Sequence, residues 1–129
     1  MAYASTLPSI MILSDIRDLL DAIVLARTED MGIEIERAYC ADLMSDVLAF
    51  SISNSLLITG LTNTQVIRTA EVATIRAIVF IQNKRPDIQT RSLADEKKIP
   101  LLVTGFSMFD TCGRLFEKGL RSCSVLEFL

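Results

Sequence analysis

Three short apolar runs mark the second half of the chain: Leu56-Leu57-Ile58-Thr59, Ala77-Ile78-Val79-Phe80-Ile81 and Leu101-Leu102-Val103-Thr104. Each is continuous rather than alternating, as in strands covered on both faces of a parallel sheet. A segment with helical spacing follows each run. After Gly60, Thr62 and Gln65 match a Thr-x-x-Gln capping box, and Val66, Ala70, Ala73 and Ala77 recur at helical intervals. A second helix is predicted from Asp87, just behind Pro86, to a point before Pro100. Its apolar stripe would be Ile88, Ser92 or Leu93, and Ile99, with Arg91, Asp95, Glu96, Lys97 and Lys98 on the wet face. A third helix is predicted to start at Ser107, with Asp110 at the capping-box position and Gly119 as terminator. Phe109, Gly113, Phe116 and Leu120 would form its stripe. Right-handed crossovers turn this alternation into an α/β fold with a mainly parallel sheet and helices on both faces.

The first half is less regular. Ile12, Ile16, Leu19, Leu20 and Ile23 suggest a helix ending near Asp21, and Ala22 to Ala26 reads as a strand. Arg27 to Gly32 is a polar turn. Ile33-Glu34-Ile35-Glu36 alternates like a strand with one wet face. Asp42 to Phe50 is a short helix in which Leu43, Val47 and Phe50 share a face, and Ser51 to Ser55 is a loop. The expected sheet has four or five strands.

Composition narrows the chemistry. The 129 residues fit one domain, and half of them are hydrophobic. There is no histidine, which excludes His-dependent triads, His-metal sites and imidazole proton shuttles. A net charge of −3 without a basic patch argues against nucleic acid as a partner. Cys40, Cys112 and Cys123 are widely spaced and form no CxxC, so reduced thiols fit better than a disulfide framework or a metal site. Cys40 and Cys112 read as buried small hydrophobes and Cys123 as exposed. The longest uncharged stretch, Val47 to Ile67, carries nine polar side chains, too many for a membrane span. Met1 to Ser14 lacks the basic start of a signal peptide. The expectation is a cytoplasmic chain with no membrane partner.

The run Tyr39-Cys40-Ala41-Asp42-Leu43-Met44-Ser45-Asp46-Val47 resembles the Tyr-x-x-Asp-Leu-x-Ser-Asp-Val element of the DRTGG-domain family. Ser55-Leu56-Leu57-Ile58-Thr59, Ala77-Ile78-Val79-Phe80 and Ile99-Pro100-Leu101-Leu102-Val103-Thr104 resemble later strands of that family, and Leu13 to Leu25 its opening. The resemblance covers about residues 13–120. One element departs: Glu36-Arg37-Ala38 stands where Thr-Gly-Gly is expected, and neither Arg37 nor Ala38 offers the backbone freedom of glycine. The resemblance implies a single domain over residues 1–129, folded like the N-terminal domain of HPr kinase/phosphorylase, with residues 121–129 as an apolar tail. It also implies a regulatory role, often at a dimer interface, in settings that include phosphotransacetylases, CBS-domain proteins and regulated pyrophosphatases.

Two groups of residues are candidates for ligand binding. The loop Thr59, Gly60, Leu61, Thr62, Asn63 and Thr64 joins a strand to a helix N-terminus, a place suited to phosphate or carboxylate. Capping by Thr62 or Asn63 is the plainer explanation. Asp42, Ser45 and Asp46, at i, i+3 and i+4, would share one helical face and accept a ligand hydroxyl or a cation, or simply cap the helix. A phospho-accepting aspartate is disfavoured because no lysine stands convincingly after a strand. Arg68 and Glu71 are expected to pair on the helix surface, and Arg68 and Arg76 are alternative contacts for an anion. No Walker or dinucleotide fingerprint, catalytic set, metal site or cofactor is indicated.

The function expected is that of a non-catalytic regulatory or sensor domain. It would bind a small anionic metabolite or nucleotide, or a metabolic-enzyme partner, as a homodimer. The alternatives are a small phosphotransfer or acyl-phosphate enzyme using Asp42, Asp46 or Cys40, and a structural module using the apolar tail.

Overall fold

A computed structural model describes residues 10–123. The tail from residue 124 onward and the segment before residue 10 lie outside the described residues. The elements in chain order are β1 (Met11–Ile12), α1 (Leu13–Leu19), β2 (Ile23–Ala26), β3 (Glu34–Ile35), β4 (Arg37–Cys40), α2 (Met44–Phe50) and β5 (Leu56–Thr59). They continue with α3 (Thr64–Ala73), β6 (Ala77–Phe80), α4 (Ile88–Glu96), β7 (Leu101–Val103), α5 (Met108–Glu117) and β8 (Arg121–Ser122).

The three apolar runs are β5, β6 and β7, and almost every side chain in them is fully buried. They pair in parallel, with Leu56 beside Ala77, Thr59 beside Phe80, and Ile78 beside Leu101. The sheet order is β2-β7-β6-β5-β4-β8. Only β2 runs antiparallel, against β7. The α/β, mainly parallel class is therefore correct, but among the described residues the main sheet has six strands rather than four or five. The extra strands are β4 and β8. Neither carries an apolar run, so hydrophobic patterning does not reveal them. A separate two-stranded sheet joins β1 to β3, with Met11 beside Ile35.

The connections explain the two layers of helix. From β4 to β7 each strand lies next to the one before it, so right-handed crossovers put α2, α3 and α4 on one face. Met44, Val47, Val66, Ile67, Ala70 and Ala94 pack there with Leu57, Ile78 and Phe80. After β7 the chain returns to pair β8 with β4 at the opposite flank, so α5 crosses the other face. There Leu115 and Leu120 join Leu13 and Ile16 of α1 over Ile58, Val79 and Leu102.

The predicted helix stripes are only partly inward: Val47, Leu93, Ile99 and Leu120 meet the core, but other members do not. In α4, Ile88 is 81% exposed and Thr90 and Ala94 are buried instead. In α5, Phe109 is 86% exposed and Phe116 also faces outward, while Thr111 and Leu115 point inward. In α2, Met44 and Val47 are buried and Leu43 and Phe50 are not. Thr90, Ala94 and Thr111 fill close approaches to the sheet, while Ile88 and Phe109 lie outside.

The caps fare better. Gly119 (φ 107°) follows α5, and Gly119 N–H and Leu120 N–H reach back to the carbonyls of Phe116 and Leu115 in a Schellman arrangement. Ser107 Oγ accepts from Asp110 N–H at 3.1 Å. Asp87 Oδ1 accepts from Thr90 N–H at 2.9 Å. That backbone hydrogen bond, aided by the Thr90 side chain, holds the Asp87 carboxyl below its ordinary pKa. A depressed folded-state pKa stabilises the fold above the unfolded value and ceases to do so as pH falls through the folded value. Urea titrations of the wild type and Asp87→Ala should therefore differ at neutral pH and converge in acid. A gap of the same size at both pH values would contradict this cap.

Candidate functional site

The parallel strands β4, β5 and β6 end side by side, and the residues that follow them meet. Asp42 lies in the turn after β4, ahead of α2, whose N-cap is Leu43. It is therefore not on a helical face with Ser45 and Asp46, because the helix starts two residues later than the i, i+3, i+4 reading requires. Ser45 is exposed, and Asp46 is half-buried and raises the Tyr39 pKa, an effect secondary to that of burial. The three residues therefore do not share the predicted helical face.

Asp42 is instead tied to the other predicted group. Its Oδ1 accepts the Gly60 N–H at 2.8 Å and the Thr59 hydroxyl at 3.1 Å. Thr59 Oγ1 in turn accepts the Leu61 N–H at 3.1 Å. One carboxylate oxygen thus fixes the path by which the chain leaves β5. A side-chain carbon on Gly60 would stand 3.6 Å from Asp42 Oδ1 and 3.3 Å from Lys84 Nζ. Carboxylate and ammonium therefore face the same point across the glycine. The sequence gives no reason to favour Lys84. It reaches this place because β6 ends beside β5 and the left-handed residues Gln82 (φ 54°) and Asn83 (φ 56°) turn the chain back.

Beyond the loop, α3 starts at Thr64 with Asn63 as N-cap and no side-chain capping bond. The Thr62–Gln65 capping box is thus displaced by one residue and unformed. Thr62 and Thr64 are half-buried and Asn63 is exposed. Thr64 and Arg68, one turn apart on α3, face Gln89, Ser92, Leu93 and Glu96 of α4 across a cleft of about 260 Å³. Arg68 does not take Glu71 as predicted; Glu71 pairs with Lys97 at 3.0 Å. Arg76 lines a different hollow, with Glu34, Glu36 and Arg37, so the two arginines do not act together.

The degenerate Glu36-Arg37-Ala38 element is no glycine-requiring turn here. Arg37 opens β4 and pairs with Arg121, and Ala38 pairs with Ser122. Extended backbone suits both residues.

Cys40 and Cys123 occupy environments opposite to those predicted, while Cys112 packs against the core as expected but is only partly buried. Cys40 is exposed, Cys112 half-buried and Cys123 buried. Cys40 on β4 and Cys112 on α5 place their sulfurs 2.6 Å apart. The shared hydrogen bond raises the Cys40 pKa and lowers that of Cys112. No spacing in the sequence announces this contact across the sheet. Among the described residues no cluster of acidic and thiol side chains is suited to hold a metal ion, and no helix is long and apolar enough to cross a membrane.

No protein-family model and no curated protein matches this sequence. Among solved structures, the fold matches the CBS and DRTGG domains of the regulatory region of Clostridium perfringens pyrophosphatase, complexed with its activator diadenosine tetraphosphate. The TM-score is 0.69 and the identity 16%, over 84% of this chain and 47% of that one. The fold is DRTGG-like. That agrees with the fold implied by the Tyr39–Val47 resemblance. The DRTGG-like domain corresponds to about half the length of the structure it matches.

Proposed function

We propose that this DRTGG-like domain is a non-catalytic regulatory or sensor domain, dimeric and cytoplasmic, that takes an anionic metabolite or nucleotide in the cleft between α3 and α4. The observation that carries the reading is the cleft itself. Arg68 brings a positive charge, Thr64 and Ser92 bring hydroxyls, and the α3 N-terminus adds N–H groups without a side-chain cap. Such a set recognises phosphate. Gln89 and Glu96 at the other wall suit the amide edge of a base and a ribose hydroxyl. The pyrophosphatase regulatory region of similar fold, captured with diadenosine tetraphosphate, supports a nucleotide as the ligand class.

Asp42 holds the chain path after β5 through the bonds that its Oδ1 accepts from Gly60 and Thr59, a structural role that fits a regulatory domain. Asp42, Thr59 and Gly60 position the loop Thr62-Asn63-Thr64 that opens the cleft. Exposed Leu48, Phe50 and Val72 on α2 and α3 support self-association.

Thermal-shift titration tests the reading with ATP, diadenosine tetraphosphate and pyrophosphate, because a ligand of the folded state raises Tm by mass action. A nucleoside polyphosphate should raise Tm in the wild type and not in Arg68→Ala. Sedimentation of the same samples should report a dimer. Absence of any shift would refute the cleft, and a monomer would refute the assembly.

A further inference from the structure

We infer that Cys40 and Cys112 form an oxidisable dithiol, a modification site that hydroperoxides convert reversibly to an intramolecular disulfide. This does not rest on the cleft between α3 and α4, since the cysteines lie on the opposite face of the sheet. Three observations converge on it. The two sulfurs are 2.6 Å apart although 72 residues separate them in sequence. They sit at the wall of a cavity of about 290 Å³ between α5 and the β4–β8 flank, whose other lining includes Ile58, Phe116 and Arg121. Cys40 is exposed and Cys112 half-buried, so a small oxidant has access. A structural cysteine pair in a packed core would have none.

Either sulfur can donate in this contact. With Cys40 donating, Cys112 is the thiol that ionises more readily, and it supplies the attacking thiolate. It attacks one oxygen of hydrogen peroxide, the O–O bond breaks, and hydroxide leaves as water after taking a proton. The product is the Cys112 sulfenic acid. Cys40 then attacks that sulfur as its own proton passes to the departing hydroxyl, which leaves as a second water. The sum is two thiols and one peroxide giving one disulfide and two waters. A dithiol reductant reverses it by exchange. Cys123 does not compete: Ser122 is the partner of Ala38, so the alternation of β8 turns Cys123 towards the face of Tyr39.

The bond would fasten α5 to the end of β4, two residues before Asp42. Oxidation should therefore raise Tm by about 5–15 °C through the long closed loop.

The test is peroxide treatment of the full chain followed by alkylation, peptide mapping and melting. The expected result is a monomer-internal Cys40–Cys112 peptide, with two hydrogens lost, reversed by dithiothreitol. The cross-link should persist in Cys123→Ser and vanish in Cys40→Ser and Cys112→Ser, whose melting should no longer respond to peroxide. Oxidation of Cys40 or Cys112 to separate oxyacids, cross-links between chains, or two thiols still alkylatable after peroxide would each overturn the proposal.

Discussion

Phe80→Ala is expected to destabilise the domain by about 3–5 kcal/mol, the usual range for removing a buried aromatic ring. Phe80 is the largest fully buried side chain and lies at the end of β6, a central strand of the six. Its ring belongs to the core beneath α3 and α4, together with Val66, Ile67, Ala70 and Ala94. Alanine would leave a void that these residues cannot fill, because their backbones are fixed by helices on a rigid sheet. A domain of this size has only about 5–15 kcal/mol of net stability, so the loss is a large share of it. Denaturant unfolding should show a lowered midpoint with an unchanged slope. Phe80→Leu, which retains most of the volume, should cost roughly 1–1.5 kcal/mol. If Phe80→Ala cost under about 1 kcal/mol, the packing of α3 and α4 on the sheet described above would be wrong.

Asp42→Ala should have the second largest effect, about 1–3 kcal/mol, as expected when hydrogen bonds to a charged acceptor are lost. The substitution removes the partner of Gly60 N–H and of the Thr59 hydroxyl in one step. Because the loop from β5 to α3 carries Thr62, Asn63 and Thr64, stability and nucleotide response should fall together. Asp42→Asn retains an oxygen acceptor and should recover most of the stability. Full nucleotide response in a folded Asp42→Ala protein would show that the loop needs no such tie, and would detach Asp42 from the cleft.

The strands β5, β6 and β7 are legible in the sequence because full burial leaves an unbroken apolar run. So are the starts of α4 and α5, where Asp87 and Ser107 cap as their spacing implies. What stays hidden is either polar or distant. Arg37-Ala38-Tyr39-Cys40 and Arg121-Ser122 are strands by virtue of their neighbours, and nothing in their own composition says so. The inward faces of α4 and α5 are set by Thr90, Ala94 and Thr111, residues that a hydrophobic count ranks below Ile88 and Phe109. The candidate loop at Thr59–Thr64 is visible as a strand-to-helix junction. Its link to Asp42 and Lys84 is not, because only the sheet order brings those chain segments together. The contact of Cys40 with Cys112 has the same cause: β4 and α5 meet because the chain turns back across the sheet after β7.

That return also sets a timetable for synthesis. Arg37 and the residue that closes its edge, Ser122, are 85 positions apart. At about 5–20 residues per second, a ribosome needs roughly 4–17 s to make the intervening chain. During that interval β5 can cover one side of β4, while the other side keeps its backbone groups unpaired. An open parallel edge of this kind is a template for a second nascent copy. The sheet closes on its β4 flank only when β8 has emerged and α5 has folded over, so crowding on a polysome bears most heavily on this one strand.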